Sequence, residues 1–573
     1  MKKIGYLTLL FILSLFIFTD LPALQLTTTV FAGTDEQFRE RLALLKASAS
    51  FEELCDRLFI GVIDYSPDEM DGFGDLTSYG CEKYQNRLRP LTVEWENQYL
   101  EWIYGAMDTI ERMPVVEGSR DYYLKEVLKR YLQNETEKYN FRYYIAQLSP
   151  VIGSQIELRQ IFLVFHPLRN IQDALDFIAR LKAVPEKVDQ IIRRFEESQA
   201  KGIMMNTQSM AASQWLMNEL LKTGITSEVY NRFTEALELM DGTTQADRKA
   251  LIEEMGEALN SVAVPAFKRI NAALISAQRK PNRNLGAHSF PNGDLWYRYA
   301  LKFHTSVERD PVELHEWGLK EVETLQSKIE AVKALRPAKS LTPLGGSIWD
   351  FLPEWFEPAY IPSYRPEIIP FYSDMYSSPN LEQSSKGIYY STQVPPVENT
   401  VYFHEVVPGH HLERTNQLNR GLPLVAQLPF ITVFIEGWAL YAESLVAERF
   451  PYPDRLLDCY TWQLIRAKRI VADTGINALG WTYNQTVDYM SKDGSMTRTL
   501  AQNDVNRYLT WPGQACSYYL GYKTIVSLRE KAENALGEAF DIRLFHSALL
   551  QYGQLPLDLL EEKIDRWIAS YRP

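Results

Sequence analysis

Three observations predict a mainly α protein. Apolar residues recur at three-and-four spacing through most of the chain, sustained strand-like alternation is absent from the N-terminal half, and prolines and aromatics crowd into one central stretch. The expected architecture is a large helical two-part body around a cleft, with a small irregular or β insert near the chemistry-bearing residues described below.

Residues 1–32 are expected to be a leader. Met1-Lys2-Lys3 is basic, Ile4 to Phe18 is almost unbroken apolar sequence, and Val30-Phe31-Ala32 offers small residues where a signal peptidase reads. The apolar run is shorter than the roughly 20 residues that span a bilayer. The expectation is cleavage after Ala32, no stable membrane anchor afterwards, and a product that is secreted, periplasmic or in the cell envelope.

An N-terminal helical region is assigned to 33–285. Segments Thr34–Ser48, Leu91–Arg112, Ser119–Asn134, Ile171–Val184, Lys187–Lys201 and Thr226–Met240 each carry one apolar face. The region 286–573 is also mostly helical, and Pro311 opens a helix reaching Leu335. Inside it, 336–399 holds many prolines, Gly345-Gly346 and a dense aromatic set, which excludes long helix. Gly387–Gln393 has the β-branched and aromatic content of a short strand, able to pair with an extended peptide. Helix resumes near Val401, with breaks at Pro451–Pro453, Asp493–Gly494 and Pro512–Gly513.

The 573 residues are 46% hydrophobic and 23% charged, a globular composition that excludes disordered, collagen-like and disulfide-knot classes. A net charge of −13 argues against a nucleic-acid partner, which needs a basic surface, and against a polybasic membrane anchor. The spacing of Cys55, Cys81, Cys459 and Cys516 does not suit a cysteine zinc site, and neither a Cys55–Cys81 nor a Cys459–Cys516 bridge is assigned.

Histidine is scarce, with 8 in the chain, and three fall together in His404-Glu405-Val406-Val407-Pro408-Gly409-His410-His411. The ordinary zinc-peptidase helix places a second histidine four residues after the first, but Pro408 stands there. On an undistorted helix His411 would lie about 20° from His404 in azimuth and His410 about 120° away. Pro408 should kink or bulge the helix, which would bring His410 round instead. Geometry alone leaves both open. A third ligand is expected from Glu436, a carboxylate amid apolar sequence, with Glu443 on the same face two turns later to orient a ligand histidine. By contrast His315-Glu316, with no second histidine downstream, reads as a solvated helix face.

His-Glu-x-x-Pro-Gly-His-His-Leu followed by Glu-Gly-Trp-Ala-x-Tyr-x-Glu resembles the DUF885 family, bacterial proteins similar to gluzincin-type zinc metallopeptidases. Arg469–Gly475, Gly480-Trp481-Thr482, Pro512–Tyr518 and Leu555-Pro556-Leu557 extend the likeness. A more distant likeness is to thimet oligopeptidase and carboxypeptidase Taq, where a Gly-His pair closes the zinc helix and a Glu follows about 25 residues later. That resemblance implies His410 as second ligand, with His411 beside it as an alternative or supporting group. It also implies one zinc ion held by His404, His410 and Glu436, and a peptide or small amide as substrate. Glu405 is the expected general base. Tyr518 is the expected oxyanion donor with Tyr508 in reserve, Arg507 a carboxylate-binding group, and Asp473 a support for a ligand histidine. Asn477 and Tyr519 depart from the family pattern. The rival expectations are a non-catalytic secreted helical binding protein with a vestigial metal site, and a hydrolase of a non-peptide amide.

Overall fold

A computed structural model describes residues 35–66, 86–280, 282, 284–362, 365–370, 375–379, 387–393 and 396–571. The expected leader, residues 1–32, and Cys81 lie outside them. The described chain is mainly α, with one small sheet. No helix among the described residues is long and apolar enough to cross a membrane.

The chain folds as two compact units, which divide at Asn284/Leu285. The region 33–285 does not all fall in one of them: Val115–Arg130 belongs with the C-terminal unit. The reason is packing and charge. Tyr123 and Val127 enter the same buried cluster as Leu559, Leu560 and Ile564, and Arg130 donates to both carboxylate oxygens of Asp558.

Within the N-terminal unit, helix Ile171–Ala200 replaces the two segments expected on either side of Pro185. Phe177, Leu181, Val184, Val188 and Ile191 form one buried stripe across the proline. Burial of that stripe outweighs the roughly 3 kcal/mol a proline costs inside a helix. Arg194, on the same helix, forms a buried ion pair with Glu96 at 3.2 Å.

The C-terminal unit is numbered here from residue 285: α1 (Gly293–Thr305), α2 (Pro311–Ala334), α3 (Thr400–Glu405), α4 (His410–Asn419), α5 (Thr432–Arg449), α6 (Pro453–Asn477), α7 (Tyr483–Ser491), α8 (Arg498–Thr510), α9 (Ser517–Leu536), α10 (Ile542–Leu550) and α11 (Leu557–Ala569). Between α2 and α3 the chain makes short turns and the strands β1 (Glu367–Pro370), β2 (Met375–Ser377) and β3 (Ile388–Ser391). β3 is central, parallel to β1 and antiparallel to β2. The strand expected at Gly387–Gln393 is therefore present, but both its edges are occupied, so it cannot accept an added peptide strand.

Helix α5 is buried almost all round, from Thr432 to Ala447, and forms the axis of the unit. It meets α9 at two glycines. A Cβ on Gly437 would sit 2.6 Å from the Cα of Gly521, and one on Gly521 would sit 2.0 Å from the Val433 carbonyl oxygen. Neither position tolerates a side chain at that separation.

Cys459 and Cys516 are separate buried thiols, with no bridge between them.

Candidate metal centre

Helix α3 starts from Asn399, whose side chain accepts from the Tyr402 amide at 2.9 Å, and ends at Val406. Pro408, after a cis Val407–Pro408 bond, stops it more completely than the expected kink: Val406–Gly409 is a loop, and α4 begins anew at His410. Gly409 is required here, because a Cβ would lie 1.9 Å from the His404 carbonyl oxygen. The Trp438 indole on α5 donates to the Pro408 carbonyl at 3.1 Å and fastens the loop to that helix.

The loop turns His410 back toward His404. Their rings lie 4.7 Å apart and nearly perpendicular. Glu436 on α5 completes the group: its Oε2 is 3.4 Å from His404 Nε2 and 3.6 Å from His410 Nε2. All three residues are buried, and Glu436 Oε2 has no hydrogen-bond partner. Nitrogen and oxygen ligands about 2.0–2.1 Å from a tetrahedral zinc stand about 3.3–3.4 Å from one another. The two carboxylate–imidazole separations come close to that spacing, and all three ligand atoms lie within 4.8 Å of one another. Those two separations are too long for good direct hydrogen bonds, and the unpartnered carboxylate oxygen is what a cation would satisfy.

Glu443, two turns along α5, accepts from His404 Nδ1 at 2.7 Å, which leaves Nε2 directed at the centre. Arg466 on α6 donates to the same Glu443 oxygen at 3.2 Å. Burial alone would push the His404 imidazole down, but Glu436 and Glu443 outweigh it and raise its pKa to about 9. For Glu436, burial acts upward, yet the two facing imidazoles hold its carboxyl well below the usual range. The His404 imidazolium and the Glu436 carboxylate thus favour each other, and a bound cation would take the place of the imidazole proton, because histidine ligates a metal as the neutral ring.

Glu405, next to His404, is half-buried, and its carboxylate makes no hydrogen bond among the described residues. Burial first, and then the Glu436 charge, raise its pKa against the opposing pull of the two imidazoles. Tyr518 on α9 stacks nearly parallel to His404 at 6.4 Å. Arg507 donates to the Tyr518 hydroxyl oxygen at 2.9 Å and to the Gln514 side chain. The two residues thus act as one hydrogen-bonded pair beside the ligand set.

Other expected residues stand elsewhere. His411 is fully buried but faces away, bonded through Nδ1 to the Tyr376 hydroxyl on β2 at 2.7 Å, and it is not in the ligand group. Asp473 supports no ligand histidine: it accepts from the Tyr297 hydroxyl at 2.6 Å and the Gly513 amide at 3.0 Å. Burial, against those donors, pushes its pKa up to about 7. Tyr508 is held by Asp504 at 3.0 Å. Asn477 bonds the Ala287 amide and the Tyr508 carbonyl, and Tyr519 bonds Glu321, so these departures lie outside the centre. His315 is not solvated. It is buried, with Nδ1 at 2.8 Å from the Thr474 hydroxyl, while Glu316 is exposed.

Arg466 and Tyr376 were not picked out by motif spacing. Arg466 shares the segment Leu464–Val471 with Lys468 and Arg469, so nothing local singles it out. Nothing singles out Tyr376 either, and the partners of both residues lie in other elements.

With this geometry in view, residues 75–354 and 344–564 match the family described as bacterial protein of unknown function, DUF885. The chain belongs to the DUF885 family. A crystal structure from Colwellia psychrerythraea, provisionally described as a lipoprotein, is similar with a TM-score of 0.80 and 22% identity, covering 91% of this chain and 100% of that one. A second, from Shewanella oneidensis, carries the same provisional description and is stated to be of unknown function. It has a TM-score of 0.66 and 16% identity, covering 90% of this DUF885 chain and 99% of the other. These likenesses show the fold. No curated protein matches the chain.

Proposed function

We propose that this chain is an exported, zinc-dependent hydrolase that cleaves peptide bonds, with a small non-peptide amide as the alternative substrate. One observation carries the reading: three buried ligands, an unpartnered carboxylate oxygen among them, and an uncommitted carboxylate adjoining the first ligand. Structural zinc sites usually close with four protein ligands, whereas catalytic sites use three and keep one position open. The likeness of the motif to gluzincin-type peptidases supports the same reading. The basic-apolar leader sequence and the lipoprotein descriptions of the two similar structures support export to the cell envelope.

His404, His410 and Glu436 would hold the ion. Zinc, when bound, supplies Lewis acidity that polarises a carbonyl and makes water more acidic. Glu405 accepts the proton of the attacking water at its carboxylate and returns it to the leaving amine; its raised pKa brings it closer to the working range of a general base. Because Arg507 donates into the Tyr518 oxygen, the phenolic hydrogen remains available to donate to the developing oxyanion. Glu443 fixes the His404 tautomer throughout.

The test is metal content and turnover of a mixed peptide library by the mature protein, with and without chelator. Glu405→Gln is expected to keep its metal and lose about 10²–10⁴-fold in turnover. Full metal occupancy with no chelator-sensitive cleavage in any peptide pool would overturn the peptidase reading and leave a vestigial site.

A further inference from the structure

Behind α3, the helix that carries His404, lies a cavity of about 650 Å³, between the irregular insert and the starts of α3 and α6. Tyr402 lines it. On α3, Tyr402 and His404 are two residues and so about 200° apart in azimuth, so the cavity opens on the face opposite the metal centre. Its volume falls in the range of small-molecule sites, roughly 300–1,000 Å³.

The lining has a definite chemistry. Trp349, Ile368, Val397 and Tyr402 give it apolar walls, and Ile368 and Val397 remain 38% and 43% exposed there. Two arginines also line it, and they differ. Arg455 is spent on the fold, donating to the Thr342 carbonyl at 2.7 Å and the Glu398 carbonyl at 3.0 Å. Arg365 lies with its guanidinium 5.0 Å from the centre of the Trp349 ring. It is exposed, and the Glu398 carboxylate lies within its electrostatic reach. Stacking on an aromatic face fixes the plane of a guanidinium while leaving its donors free. Glu398, whose side chain accepts from the Ile348 amide at 3.4 Å, is the acidic group of the lining.

We infer that this cavity is a binding site for a monocarboxylate with an apolar body, the carboxylate on Arg365 and the body against Trp349, Ile368 and Val397. A planar, singly charged carboxylate matches one guanidinium fork. A phosphate dianion would set its second charge against Glu398. The inference needs neither a bound metal nor hydrolysis, so it stands or falls apart from the proposed function.

The test is calorimetric titration of the mature full-length chain with 4-phenylbutyrate and, in parallel, with 4-phenylbutyramide. The acid is expected to bind about tenfold more tightly than the amide, as one charge-assisted contact provides. Arg365→Gln removes that difference, Val397→Trp abolishes binding of both probes, and a chelator changes neither. Thermal unfolding of each variant confirms that it is folded. Absence of heat with both probes up to about 10 mM, an affinity weaker than any useful site, overturns the inference. So does acid binding that survives Arg365→Gln but disappears with chelator, which would place the probe at the metal centre.

Discussion

Two buried histidine sites flank the same helix and differ in one respect. On one side of α5, His546 is satisfied at both nitrogens: Nε2 accepts from the Tyr441 hydroxyl at 2.8 Å, and Nδ1 donates to the Trp355 carbonyl at 2.8 Å. Burial drives its pKa down to about 3, so it is a neutral part of the core. On the other side, His404 is satisfied only at Nδ1, by Glu443. Its Nε2 faces a carboxylate oxygen that has no partner. A buried polar network that closes on itself specifies a fold, and one left open by a charge points to something that completes it.

The strongest test of this contrast is ligand removal. His410→Ala is expected to lose bound zinc altogether by elemental analysis, while His411→Ala retains it. Metal loss in the second variant alone would reverse the ligand choice. Zinc at about 1,000 times its dissociation constant should stabilise the wild-type chain by about 4 kcal/mol and the His410→Ala chain by none.

Asp473 extends the comparison to a carboxyl group in a closed network. Its folded pKa of about 7 lies above the ordinary 3.8. The folded chain therefore binds more protons than the unfolded one between those values, and stability falls as pH rises through that window. The loss amounts to about 4 kcal/mol at most. Asp473→Asn should flatten this slope in urea midpoints measured from pH 4 to 7, and an unchanged slope would show that other groups set it.

His546→Ala should cost about 2–4 kcal/mol in urea unfolding, from a cavity and an orphaned Tyr441 hydroxyl, with metal content unchanged. A fall in metal content there would erase the distinction between the two sites. Glu443→Gln, the smallest effect, should weaken zinc binding about 10–100-fold without abolishing it.

Much of this was legible in the sequence where periodicity is local. The helices, the short strand at β3 and the shared face of Glu436 and Glu443 all follow from spacing along one element. The choice between His410 and His411 was not fixed by spacing, because a proline break has no periodicity to read. Arg466, Tyr376 and the placement of Val115–Arg130 depend on contacts between elements distant in sequence. Asp473 misled for the same reason: a carboxylate after an apolar run signals burial, and its actual partners, Tyr297 and Gly513, come from other elements.

The contact of Gly437 with Gly521 has a consequence for tolerance. Glu436 immediately precedes one glycine, and Tyr518 lies less than a turn before the other. The reach from the hydroxyl-bearing helix to the ligand-bearing one is thus set by two main chains touching, with no rotamer in between. Core side chains elsewhere can be exchanged without changing that gauge. A single methyl group at either glycine resets it.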